Sequence, residues 1–308
     1  MPSYVSGIGE VIVSDASSKF KQAVDLISIE TPELRPSLLF YADMISLLNE
    51  LSDEVVSELE DRRELIEELA KRVSEEGSPL LNLLGTIPVS AGIWQRILES
   101  VVSIVRDHRE ELTEDLNKLL EASGGGSFSI RDLATYSLKG DPNYARGVAA
   151  GLDVDLDLVN AIALWTIQPL LIALRRITER KIDANNWLRG YCPVCGSYTR
   201  TGFMEGEGRK LHLKCEICGM EWPFLRLKCP FCDNEDEKKL GFYSLNDNKF
   251  RLYVCESCGE YWKVVDEELA GKNVPRELYP VWTFELDELA SKLSKERSSE
   301  DEEGDIKS

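Results

Sequence analysis

Histidine is nearly absent from this sequence: 308 residues hold only His108 and His212. Little is therefore available for general base chemistry. No glycine-rich phosphate loop, strand-opening Gly-x-Gly-x-x-Gly or Gly-x-Ser-x-Gly elbow makes up for it. An enzyme is not expected. Uninterrupted apolar runs long enough to span a bilayer are missing too. The nearest stretch, Val159 to Leu174, is broken by Asn160, Thr166, Gln168 and Pro169, so no membrane association is expected. No basic segment followed by an apolar one opens the sequence, and the cytoplasm is the expected compartment. Positive charge is in deficit, with 36 Lys and Arg against 55 Asp and Glu for a net −19. A phosphate backbone would be repelled by the molecule as a whole, so nucleic acid is not the expected partner.

Cysteine is absent from the first 191 residues and the last 50, and all eight fall between. They form four pairs of identical spacing: Cys192-Pro-Val-Cys195, Cys215-Glu-Ile-Cys218, Cys229-Pro-Phe-Cys232 and Cys255-Glu-Ser-Cys258. A disulfide scaffold would show assorted spacings in a short secreted chain. A redox dithiol would need a thioredoxin-like βαβ setting, which the sequence does not offer. Two residues between cysteines let one tight turn aim both sulfurs at a common point, and two such pairs make a tetrahedral metal site. Gly196, Gly219 and Gly259 follow three of the pairs, where a positive φ is convenient. Asp233-Asn234 follows the other, and these residues tolerate that conformation better than most.

Gaps of 19 residues between Cys195 and Cys215, and of 22 between Cys232 and Cys255, suit facing turns across short strands. The expected sites are sequential: Cys192, Cys195, Cys215 and Cys218, then Cys229, Cys232, Cys255 and Cys258. Spacing does not fix connectivity, and an interleaved arrangement stays open. Four thiolates suit zinc and equally suit the single iron of a rubredoxin-type centre. Neither site has an open position for Lewis-acid catalysis. With a divalent ion each carries a formal −2, which Arg209, Lys210, Lys214, Arg226 and Lys228 could offset; the alternative is that they are solvated strand residues. His212 falls in a strand beside sites already filled by cysteine. His108 reads as a surface residue.

Alternation at Lys210–Lys214 and Arg251–Val254 reads as strand, and Leu240–Leu245 with Asn246-Asp-Asn248 reads as a hairpin. Apolar residues recurring at three and four predict helices over Lys19–Ile29, Leu38–Leu51, Val55–Val73, Ile93–Val105 and Leu112–Leu120. Leu156–Ile177 is apolar on nearly all sides and is expected at the centre of a bundle. The expected architecture is an α-helical domain over 1–188 and two small β metal modules over 189–226 and 227–266. A C-terminal segment with a helix follows over 267–294, then a disordered acidic tail over 295–308. Small ribbons fold on their metal, so replacing Cys192 or Cys255 is expected to unfold its own module and spare the helices. Trp222, Phe224 and Tyr261 either plug the ribbons against the helical domain or form an exposed patch.

The cysteine block resembles the formate dehydrogenase accessory protein (FdhE) family. The resemblance rests on Tyr191-Cys-Pro-Val-Cys-Gly-Ser197, on Arg209 through Cys218, on Glu221-Trp222 and Arg226, and on Lys228-Cys-Pro-Phe-Cys232. Tyr243 and Cys255-Glu-Ser-Cys-Gly-Glu-Tyr-Trp-Lys263 complete it. It implies a helical domain carrying two rubredoxin-like tetrathiolate (zinc-ribbon) modules. It also implies a cytoplasmic accessory factor in the maturation of molybdenum or tungsten formate dehydrogenases, one that binds their catalytic subunit and holds two ions, zinc or iron. The alternatives are a rubredoxin-like electron carrier and a zinc-ribbon nucleic-acid or transcription module. Self-association stays open.

Overall fold

The computed structural model describes residues 13–271 and 273–305. The first part is helical: α1 (Val13–Glu30), α2 (Arg35–Glu58), α3 (Arg63–Glu76), α4 (Leu80–Leu84), α5 (Ala91–His108) and α6 (Thr113–Gly124). Next come α7 (Ile130–Leu138), α8 (Pro142–Leu152) and α9 (Leu156–Thr178). Pro32 starts a new turn after α1, and Gly77 ends α3 in the left-handed region with φ 61°, a conformation glycine takes without Cβ strain.

The predicted helices over Leu38–Leu51 and Val55–Val73 are divided differently. α2 runs without a break through Leu51 and Val55, both buried, to Glu58. The chain then turns over Leu59–Arg62 before α3. No proline or glycine marks this turn, and Leu59 pins it by complete burial. α7 and α8 had no predicted counterpart; each begins at a capped residue, Ser129 and Asp141.

α9 is the axis of the helical part. The Asp155 carboxylate accepts from the backbone N–H groups of Asp157 and Leu158 at 2.9 and 3.1 Å, supplying the partners that the first turn of a helix lacks. By length and composition α9 could cross a membrane. Its apolar sides are instead covered, with Val159, Ala163, Leu170, Leu171 and Leu174 fully buried among α2, α3, α5, α7 and α8.

The strands are β1 (Thr201–Glu205), β2 (Lys210–Lys214), β3 (Glu221–Pro223), β4 (Leu240–Leu245), β5 (Phe250–Cys255) and β6 (Tyr261–Asp266). They form one six-stranded sheet in the order β3-β2-β1-β6-β5-β4. Each ribbon is an antiparallel meander, and the two are welded by parallel pairing of β1 with β6, from Thr201 opposite Lys263 to Met204 opposite Asp266. The two metal modules are thus halves of one sheet.

β5 and β6 are covered on both faces, whereas the edge strand β4 is exposed along Gly241–Ser244. Leu252 and Val265 point into a cluster with Phe20 and Val24 of α1 and Leu38 of α2. Tyr253, Trp262 and Val264, at alternating positions, join the cluster around α9. α10 (Glu267–Ala270), α11 (Tyr279–Trp282) and α12 (Phe284–Asp305) close the chain. Leu286 and Ala290 anchor α12 in the first of these clusters. The tail predicted to be disordered from 295 is therefore helical as far as Asp305. A helix already started by packed residues propagates into good helix formers such as Lys295, Glu296 and Arg297. Residues 306–308 lie outside the described residues.

Candidate metal centres

Four turns of one design present the eight sulfurs. In each, the N–H four residues after the first cysteine donates to that cysteine's carbonyl: Gly196 to Cys192, Gly219 to Cys215, Asp233 to Cys229 and Gly259 to Cys255, at 2.8–3.1 Å. The first cysteine's own N–H donates to the carbonyl five residues on, namely Ser197, Met220, Asn234 and Glu260. The fifth residue must turn back sharply, and Gly196, Gly219, Asp233 and Gly259 all have φ between 59° and 81°. The two residues between the sulfurs expose backbone donors to them: Val194 N–H lies 3.4 Å from Cys192 Sγ and Phe231 N–H 3.4 Å from Cys229 Sγ.

The sulfurs gather in two groups, and the grouping is the sequential one. Cys192, Cys195, Cys215 and Cys218 form the first, and Cys229, Cys232, Cys255 and Cys258 the second, all within 4.8 Å of one another in each. Cys192 Sγ lies 3.5 Å from Cys218 Sγ, and Cys195 Sγ 3.5 Å from Cys215 Sγ. The corresponding distances in the second group are 3.7 Å. A tetrahedron with metal–sulfur bonds of about 2.3 Å has edges of about 3.8 Å, so both groups are sized for one ion. Burial pushes the thiols of Cys192 and Cys218 well up, while hydrogen bonds from Cys192, Cys215 and Cys218 hold Cys195 well below its ordinary value. A central cation is what allows all four to be thiolates together.

The groups differ in their surroundings. All four sulfur residues of the first are buried and belong to the main core with α9. Leu80 and Leu81 at the start of α4 donate their N–H groups to the carbonyls of Pro193 and Val194, both at 2.9 Å. From α9, Arg175 Nε donates to the Cys218 carbonyl at 2.9 Å. In the second group Cys232 and Cys258 are exposed. The first site is part of the helical core, so replacing Cys192 is expected to disturb the helices as well as its own module.

Of the five candidate compensating cations, Lys214 sits beside Gly219 in the first site and pairs with Glu221 at 3.5 Å. Lys228 flanks the second and pairs with Asp233 at 3.0 Å. Arg209 and Lys210 lie at the far end of β2 from Cys215; Arg209 pairs with Asp266. Arg226 is exposed. Arg175, distant in sequence, was not foreseen, and no local signal marks it. His212 stacks on Phe203 at 5.1 Å and belongs to neither group. His108 is about a quarter exposed and lies 3.0 Å from Asp43. Trp222 and Phe224 are buried in the main core, and Trp222 Nε1 donates to the Arg189 carbonyl at 2.9 Å. Tyr261 donates to Asp287 of α12 at 2.9 Å. These aromatics plug the sheet against its helices and form no exposed patch.

No protein-family model matches the chain. It is 27% identical over 124 residues to the Protein FdhE homolog of Aquifex aeolicus, covering 39% of this chain and 43% of that one. It is 28% identical over 179 residues to the Protein FdhE homolog of Edwardsiella ictaluri, covering 57% and 54%. It is 37% identical over 84 residues to Protein FdhE of Escherichia coli O127:H6, covering 26% of each. The chain thus spans about half, or less, of the curated relatives it matches. The crystal structure of the FdhE protein from Pseudomonas aeruginosa superposes over 97% of this chain and 95% of that one, with a TM-score of 0.58 at 20% identity. In sequence the chain is similar to proteins named FdhE, and in fold to one of them. The fold shared with the Pseudomonas FdhE takes in nearly the whole chain, including the helical part, which lies outside the residues that carry the sequence resemblance.

Proposed function

We propose that the protein is an accessory factor in the assembly of a formate dehydrogenase, binding that enzyme's catalytic subunit in the cytoplasm and catalysing nothing itself. The observation that carries this reading is a pair of closed four-sulfur sites on a sheet welded to a helical body, in a chain similar to proteins named FdhE. Each group of four cysteines would hold one ion, zinc or iron. All four positions of a tetrahedral ion would be protein sulfur, which leaves none for substrate. The ions would supply folding energy to the turns that carry the sulfurs.

The test uses the purified full-length chain and the catalytic subunit of a formate dehydrogenase from the same organism. Binding at micromolar concentration or tighter, with loss of formate dehydrogenase activity when the gene is deleted, supports the reading. Normal activity after deletion, together with no binding, overturns it. Absorbance of anaerobically purified protein separates the metals: ferric thiolate bands for iron, no colour for zinc. The exposure of Cys232 and Cys258 favours one second reading, an electron carrier whose second centre meets its partner at these sulfurs. Reversible bleaching of the thiolate bands by a low-potential reductant would support it.

A further inference from the structure

A cavity of about 330 Å³ lies between α2, α9 and the turn Cys215–Cys218. Its apolar wall includes Met44, Ile45, Leu48 and Ile172. Tyr41, Trp165, Gln168 and Glu216 supply polar and aromatic groups. It is a cleft of the size that takes small ligands or single side chains.

The charged groups around it are not equivalent. Arg175 is engaged by the Cys218 carbonyl and by Glu179 at 2.5 Å. Lys214 is shared between Glu221 and Glu277, and Glu221 also holds Arg276 at 2.6 Å. Glu216 makes no ion pair among the described residues; its one hydrogen bond is from Thr201 Oγ1, at 2.6 Å. An anion entering the cavity would meet this carboxylate, with Arg175 and Lys214 already committed and Lys263 held by Asp287 at 2.7 Å. Glu179, Glu221 and Glu277 also line the cavity but are paired with Arg175, Lys214 and Arg276, so a bare divalent ion would find one unpaired carboxylate where it needs six or more oxygens. Trp165 and Tyr41 line the same cavity, and a cation is drawn to aromatic rings.

The geometry points to a binding site for an organic cation, an alkylguanidinium or alkylammonium group on an apolar stem, with Glu216 as its counter-ion. Tyr41 and Trp165 flank the charge, and the stem lies along Met44, Ile45 and Leu48. The same chemistry is offered by a small free amine and by an arginine or lysine side chain of another polypeptide. The site stands on the cavity alone and does not depend on the client proposed above.

The experiment is calorimetric titration of the full-length, metal-loaded chain with n-butylguanidinium, with the neutral n-butylurea and with the peptide acetyl-Leu-Arg-Leu-amide. Butylguanidinium should bind at least tenfold more tightly than butylurea, and Glu216→Gln should remove that preference. Peptide binding tighter than that of the free guanidinium assigns the site to a polypeptide side chain; weaker binding assigns it to a small molecule. Because Glu216 lies between two cysteines, metal content is measured for each variant. Ile45→Trp, on α2 and away from the sulfurs, should fill the cavity and abolish binding with both ions retained. Equal affinity for the urea and the guanidinium, no binding of any probe, or undiminished binding by Ile45→Trp overturns the proposal.

Discussion

Arg175 Nε donates to the carbonyl oxygen of Cys218 at 2.9 Å, joining the central helix to the first sulfur group. Arg175 also lies 3.6 Å from the point where a side chain on Gly219 would begin. One guanidinium therefore places positive charge beside a site whose ion would leave it formally −2, and it satisfies a carbonyl on a turn with no strand partner. Arg175→Met keeps the stem and removes the donor. An unsatisfied buried acceptor costs about 1–3 kcal/mol. Urea unfolding followed by circular dichroism should show that loss, and the first site should release its ion more readily while the second is unchanged. Equal release rates in variant and parent would show that the contact is incidental.

The unequal burial of the two groups sets the order of metal loss. Cys232 and Cys258 are exposed, whereas every cysteine of the first group is buried. A chelator attacks a sulfur site by displacing one thiolate at a time, so the reachable site empties first. Treatment of the loaded protein with a chromogenic chelator should give two phases of one ion each. Cys258→Ser should abolish the fast phase and leave the helices folded. Cys192→Ser should abolish the slow phase and also lower the unfolding midpoint of the helical body. A single phase releasing both ions together would contradict the asymmetry.

The sites were legible in the sequence because their determinants are local. Cysteine spacing and the residue after each pair fix a turn of six residues, and Asp233 takes the positive φ that glycine takes elsewhere. Central burial of α9 was equally legible from its nearly continuous apolar composition. The pairing of β1 with β6 was not, because Thr201 and Lys263 are far apart in the chain and parallel pairing leaves no turn signature. Nor was the end of α2, since Leu59–Arg62 contains no breaker and only tertiary burial of Leu59 bends the chain there. The reach of Arg175 to Cys218 belongs to the same class: both ends look ordinary until the fold brings them together.

The cap on α9 gives a simple stability test. Asp155 holds two backbone donors of the helix on which the core is built. Asp155→Ala should lower stability by about 1 kcal/mol, measured as a fall in urea midpoint with the slope unchanged. Asp155→Ser, which can still cap, should recover most of it. A variant with unaltered stability would mean that packing alone fixes the start of α9.

Gly190 is the tightest crossing between the two halves of the sulfur-bearing region. A Cβ there would lie 1.7 Å from the carbonyl oxygen of Pro230 and 2.4 Å from its carbonyl carbon. Those atoms are backbone of the Cys229–Cys232 turn, so no side-chain rotation can relieve the clash. The entry to the first site is thereby pressed directly onto the second, and Trp222 Nε1 holds the preceding residue by the Arg189 carbonyl at 2.9 Å. Gly190→Ala must separate these segments, at a cost at or above the upper end of about 1–3 kcal/mol seen for overpacked cores. Both ions should then be bound more weakly, because both turns share the strained contact. Gly208→Ala, where a Cβ meets nothing within 4 Å, is the matching control and should leave stability and metal content unchanged. Chemical denaturation and metal analysis of the pair decide the matter: similar midpoints for the two variants would mean that the chain crosses less closely at Gly190 than these distances require.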